Sequence, residues 1–126
     1  MRAVDTNVLV RLIARDDPAQ VKAAEAFVEN GAWVSILALT EAIWVLSSVY
    51  ARSAAEIAAI VERLLQHERL SLQDADVVAS ALDSYRKHPS LGFANCLMLE
   101  LARKAGHLPF GTFDRALAKL PGAVRV

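Results

Sequence analysis

Four polar side chains stand where an α/β chain can do chemistry: Asp5, Glu41, Asn95 and Asp114. Three of them are acids. Clustered carboxylates repel one another and resist ionisation unless a cation neutralises them. Oxygen-only ligands suit a hard ion, Mg2+ or Mn2+. Such an ion polarises a phosphoryl oxygen, activates a water and steadies the leaving oxygen. The reaction class is therefore hydrolysis of a phosphodiester. Asn95 is the odd member. It sits in LGFANCLMLELARKAG, Leu91 to Gly106, among Phe93, Ala94, Cys96 and Leu97. A buried amide must find partners or cost roughly 1–3 kcal/mol.

The elements that position these groups alternate in type. RAVD reads as a strand ending at Asp5, and NVLVRLIAR as a short helix. DDPAQVKAAEAFVENG is a helix with Asp17 as N-cap, Pro18 at its first position and Gly31 just past its end. Its apolar stripe is Val21, Ala24, Phe27 and Val28. AWVS is a second strand, and the next helix starts near Thr40, which caps it and puts Glu41 in the first turn. SAAEIAAIVERLLQ opens with a capping box, Ser53 to Glu56. RLSL is a third strand. DADVVASALDSYRK is a helix capped by Asp74, followed by the helix of Asn95. LPFGTFD holds a strand ending near Asp114, and AVRV is a final edge strand. Strands alternating with helices imply an α/β fold, with one mainly parallel sheet covered on both faces. Ligands bind such sheets beyond the carboxyl ends of the strands, where all four polar residues are expected to converge.

Bulk properties bound the partners. A chain of 126 residues suits one domain, residues 1–126, and no repeat or linker divides it. Its 14 Lys and Arg balance 14 Asp and Glu, so charge alone does not recruit nucleic acid. The 55% hydrophobic content is rich for this size and points to apolar surface covered by a partner. One cysteine, no leader at MRAVDTN and no apolar run of membrane-spanning length imply a soluble cytoplasmic protein.

Four stretches, in order along the chain, carry a resemblance: VDTNVLVR, LTEAIWVL, LGFANCLMLELARKAG and TFDRALAKLPG. Together they resemble the PIN domain of VapC-type toxins. The resemblance implies a three-layer α/β/α sandwich and a Mg2+-dependent endoribonuclease, the toxin of a type II toxin–antitoxin system. It also implies a homodimer, and inhibition by a VapB-type antitoxin. Asp5 matches the first metal-binding aspartate, Glu41 the glutamate after it, and Asp114 the last acid. The family's third acid stands two residues after the phenylalanine of a GFAD-like turn; here that position is Asn95. An amide oxygen still coordinates Mg2+, but it brings no negative charge and cannot act as a base. A unit charge pair at contact is worth roughly 4 kcal/mol at an effective dielectric near 20. The expectation is weakened metal affinity and sharply reduced activity. The alternative is a non-catalytic PIN-like module that grips antitoxin or RNA.

Other residues have supporting or bland roles. Thr6, Asn7 and Thr112 are expected to support the site or touch substrate. Arg11, Arg15 and Arg115 are placed to hold RNA phosphates. Asp5 and Asp114 also read as helix caps. Asp74, Asp76 and Asp83 read as a cap and a solvated face, and Arg86, Lys87 and His88 as a solvated helix end. His67, His88 and His107 have no partner suited to zinc. Cys96 reads as core. Trp33, Trp44 and Tyr50 read as core or interface anchors rather than base-stacking platforms. A receiver-like phosphate-transfer domain built on Asp5 is a weaker reading, because Asp16 and Asp17 are poorly placed to help it. An amphipathic antitoxin helix would lie in a groove formed by helices such as PAQVKAAEAFVEN and TEAIWVLSSVYARSAAEIAAIVERLL.

Overall fold

Side-chain caps set the start of the first four helices. In the computed structural model, which describes residues 1–126, the Asp5 carboxylate accepts from the Val8 N–H and opens α1 (Thr6–Ala14). Asp17 accepts from the Gln20 N–H and opens α2 (Pro18–Val28), with Pro18 in the first turn as expected. Ser35 opens α3 (Ile36–Ser48), and Ser53 with Glu56 forms the expected capping box at α4 (Ala54–Gln66). Each such cap stabilises its helix by about 0.5–2 kcal/mol. Three short strands complete the first compact unit, Met1–Ala75: β1 (Arg2–Val4), β2 (Ala32–Val34) and β3 (Leu70–Leu72). They pair in parallel in the order β1-β2-β3, with Val4 opposite Val34 and Val34 opposite Leu72. That register aligns Asp5, Ser35 and Gln73 just beyond one edge of the sheet. Leu9, Leu39, Leu46, Ile57, Val34 and Val61 are fully buried. Burying a side chain of this kind contributes about 1.5–3 kcal/mol.

The second unit, Asp76–Val126, contains nearly all of α5 (Ala75–Lys87), then α6 (Phe93–Ala105), β4 (Phe110–Thr112) and β5 (Ala123–Arg125). Single 3-10 turns lie at Pro89–Leu91 and Leu117–Lys119. β4 and β5 pair with each other in parallel. Tyr85 and Phe93 meet edge to face with ring centres 5.9 Å apart. Gly92 enters α6 at φ 83° and ψ 143°, a conformation almost confined to glycine. Gly106 ends α6 in the left-handed conformation, as the glycine after ELARKA predicts. No helix is long and apolar enough to cross a membrane.

Four expectations need correction. The strands form a three-stranded and a two-stranded sheet, not one. Helix α3 starts at Ile36 rather than near Thr40, because the Ser35 hydroxyl and the Gln73 side-chain amide oxygen accept from its first N–H groups. Thr40 is no cap: its hydroxyl donates back to the Ile36 carbonyl at 2.7 Å, the usual use of a mid-helix threonine. Trp33 and Trp44 are not core; they are 38% and 67% exposed. Their rings leave the interface reading open.

Candidate active site

The first unit brings three of the expected residues together. Asp5 follows β1 and caps α1, so one carboxylate oxygen, Oδ1, is held by the Val8 N–H at 3.1 Å. The next residue, Thr6, donates its hydroxyl to Glu41 Oε2 at 2.9 Å. Thr6 therefore ties the glutamate of α3 to the Asp5 end of α1. Because α3 begins at Ile36, Glu41 lies in its second turn and not at its start. Its charge owes little to the helix dipole, which fades within the first turn. Asp5 and Glu41 are both exposed, and each keeps one carboxylate oxygen beyond these bonds. Asn7, also exposed, lies on the neighbouring surface of α1.

The second unit holds the other two. Asn95 is half-buried in the first turn of α6, and its amide N–H donates to the Leu91 carbonyl at 2.8 Å. That bond fixes the side chain and leaves the amide oxygen as the atom available to a ligand. It also answers why a polar group sits beside Cys96 and Leu97: the amide is satisfied by the turn that precedes its helix. Asp114 follows β4. Its Oδ1 accepts from the Leu117 N–H at 2.9 Å, and its own N–H donates to the Thr112 hydroxyl at 3.0 Å. Asp114 thus spends one oxygen on the backbone entering the 3-10 turn, and Thr112 braces it. Arg115 is exposed beside it.

The donor atoms suit a hard cation in kind, being carboxylate and amide oxygens only. No group of three or more His, Cys, Asp or Glu side chains is arranged to hold a metal ion. The first unit supplies a pair, Asp5 and Glu41, and each has an oxygen to offer.

Sequence reasoning missed the surroundings of Arg11. Its Nη1 donates to Asp16 Oδ1 and to the Tyr50 hydroxyl, each at 3.1 Å, and its Nε donates to Gln20 Oε1. The Tyr50 hydroxyl in turn donates a hydrogen bond to Asp16 Oδ2 at 2.8 Å. The Tyr50 hydrogen bond holds the Asp16 carboxyl below its ordinary value; burial opposes it, and the backbone N–H of Asp16 and the Arg11 guanidinium add to the lowering. Arg11 is therefore no free phosphate ligand but the centre of a fixed network. Residues 11, 16, 20 and 50 share no spacing that would reveal it. Arg15 is likewise paired, with Glu25 at 2.7 Å. Cys96 is buried, as expected, and burial raises its thiol pKa, so it is no nucleophile.

No curated protein and no solved structure matches the chain. One family does: the PIN domain, over residues 2–123, a span that takes in both units and every residue of the candidate site. The chain belongs to the PIN domain family.

Proposed function

We propose that this chain is a VapC-type endoribonuclease, the toxin of a type II toxin–antitoxin pair, and that Asn95 leaves it impaired. PIN domains are commonly metal-dependent nucleases acting on RNA or DNA. The observation that carries the reading here is the Thr6–Glu41 bond, which ties one acid to the end of the helix that another acid caps. Asp5 and Glu41 would hold a divalent cation, Mg2+ or Mn2+. Asn95 and Asp114 join them in the proposal on the strength of the motifs that contain them. When bound, that cation supplies charge to the scissile phosphate and acidifies a water. The chain's own residues do the rest. Thr6 keeps the Glu41 carboxylate in one orientation. The cap bond keeps Asp5 from swinging away. The Leu91 carbonyl holds the Asn95 amide by its N–H and leaves the oxygen for a ligand, and Thr112 steadies the Asp114 backbone.

Both units are proposed to act as one PIN domain in the cytoplasm. A cavity of about 480 Å3 in the first unit supports the antitoxin. Its apolar lining comes from Leu12, Ile13, Val28, Ile60, Leu64 and Leu70, a surface suited to an amphipathic helix. Helices α1, α2 and α4 line this cavity. Leu37 and Trp44, 69% and 67% exposed on α3, supply apolar area for a homodimer.

The test is Asn95→Asp assayed on RNA with Mg2+ or Mn2+. It should cleave, the parent chain should cleave far more slowly, and Asp5→Asn in the Asn95→Asp background should abolish cleavage. No cleavage by Asn95→Asp would defeat the nuclease reading and leave the non-catalytic binding module.

A further inference from the structure

Beside the acid pair lies a second cavity with recognition groups of its own. It has a volume of about 390 Å3, within the roughly 300–1,000 Å3 typical of small-ligand sites. Asp5 lines it, together with Asn7 and Arg11 from α1 and Gln20, Ala23 and Phe27 from α2. The helix period explains the grouping: Asn7 and Arg11 are one turn apart, and Gln20, Ala23 and Phe27 share a stripe. The short side chain of Ala23 leaves the room that a longer one would fill.

The hydrogen bonds of Arg11 decide what the cavity can read. Asp16 offsets much of the guanidinium charge, at 3.1 Å, so the cavity is not a simple trap for phosphate. What remains is direction. Asp16, Tyr50 and Gln20 engage Nη1 and Nε, and none engages Nη2. The Gln20 oxygen is occupied by Arg11, so its amide nitrogen is the free end. Two N–H donors, Arg11 Nη2 and the Gln20 amide nitrogen, are thus left outside these bonds on side chains that both line the cavity. Phe27 supplies an aromatic surface and carries the Arg2 guanidinium 3.7 Å from its ring centre. Asn7 adds an exposed amide at the Asp5 end.

We propose that this cavity takes one unpaired guanine of an RNA strand, next to the phosphate that a divalent cation at Asp5 would hold. The inference rests on the ribonuclease reading above. Guanine presents two acceptors, O6 and N7, on one edge, and paired donors match it. Adenine presents a donor at the same place and is disfavoured. Unpaired bases are the usual target of sequence-reading RNA proteins, because their edges and faces are open.

The parent chain suits the experiment, since Asn95 permits binding with little cleavage. Fluorescence anisotropy in Mg2+ would compare short unstructured RNAs that differ only in one central base. The guanine RNA should bind about tenfold tighter than the adenine RNA. Gln20→Glu keeps the acceptor for Arg11 and removes the second donor. Ala23→Leu fills the cavity at an exposed helix position that tolerates leucine. Both variants should lose the guanine preference and keep RNA binding, with far-UV circular dichroism unchanged. RNA binding with no base preference, or a preference that both variants retain, would overturn the guanine site and leave the ribonuclease reading standing. No binding to any RNA would also overturn the guanine site, and the ribonuclease reading would then stand or fall with cleavage by Asn95→Asp.

Discussion

Restoring the acid by Asn95→Asp should make the metal-free chain less stable while making the Mg2+-bound chain active. Asn95 donates to the Leu91 carbonyl at 2.8 Å from a half-buried position. A carboxylate has no proton to give. Losing that bond costs about 0.5–1.5 kcal/mol, and setting an anionic oxygen against the carbonyl adds to it, so about 1–2 kcal/mol is expected. For 126 residues, an unfolding entropy near 2.1 cal/mol/K per residue turns this into a fall in Tm of about 4–8 °C. Mg2+ should return it. A ligand at a hundred times its Kd stabilises by about 2.7 kcal/mol, so the Asn95→Asp chain should recover fully, and the parent chain should gain less. Differential scanning fluorimetry with and without Mg2+, beside an RNA cleavage assay, reads both effects. Two results would refute the reasoning: Asn95→Asp as stable as the parent without metal, or an equal Mg2+ shift in both chains.

Removing the hydroxyl by Thr6→Val should weaken Mg2+ binding and slow cleavage in the Asn95→Asp background. The expected loss is about 0.5–3 kcal/mol, the range from a neutral hydrogen bond to one with a charged group, read by titration calorimetry. Gly92→Ala should destabilise by about 1–3 kcal/mol through backbone strain alone, because its added carbon meets nothing within 4 Å; urea unfolding measures it. Tyr50→Phe should let Asp16 titrate closer to its ordinary pKa of 3.8, as carboxyl NMR shifts would show. The sign follows from the direction of the shift. A carboxyl depressed on folding stabilises above its unfolded pKa and loses that stabilisation as pH falls through its lower folded value. In Tyr50→Phe, the acid limb of the stability curve should therefore flatten below pH 3.8.

Much of this protein was legible because its signals are local. Asp17 before Pro18, Ser53 with Glu56, and Gly106 after ELARKA each mark a helix end through chemistry within four residues. The place of Asn95 in the first turn of its helix was legible too, from the apolar run around it. Local reading failed where a distant residue decides. Thr40 before Glu41 looks like a cap, but the start of α3 is fixed by Ser35 and by Gln73, which lies 37 residues from its partner Ile36. The Arg11 network joins residues that sequence order keeps apart. The division of strands into two sheets is a matter of pairing, which three-residue strands do not encode in their own pattern.

The double duty of Asp5 has a consequence for how such a protein drifts. Its Oδ1 closes a helix, and an amide does that nearly as well as a carboxylate. At Asn95 the amide makes a bond that the acid cannot. On the proposed reading, a single-atom exchange at either position would disarm the chemistry while the scaffold folds nearly as well or better. A nuclease built this way could be silenced without being unmade, and the silent form would stay available to whatever binds its surface.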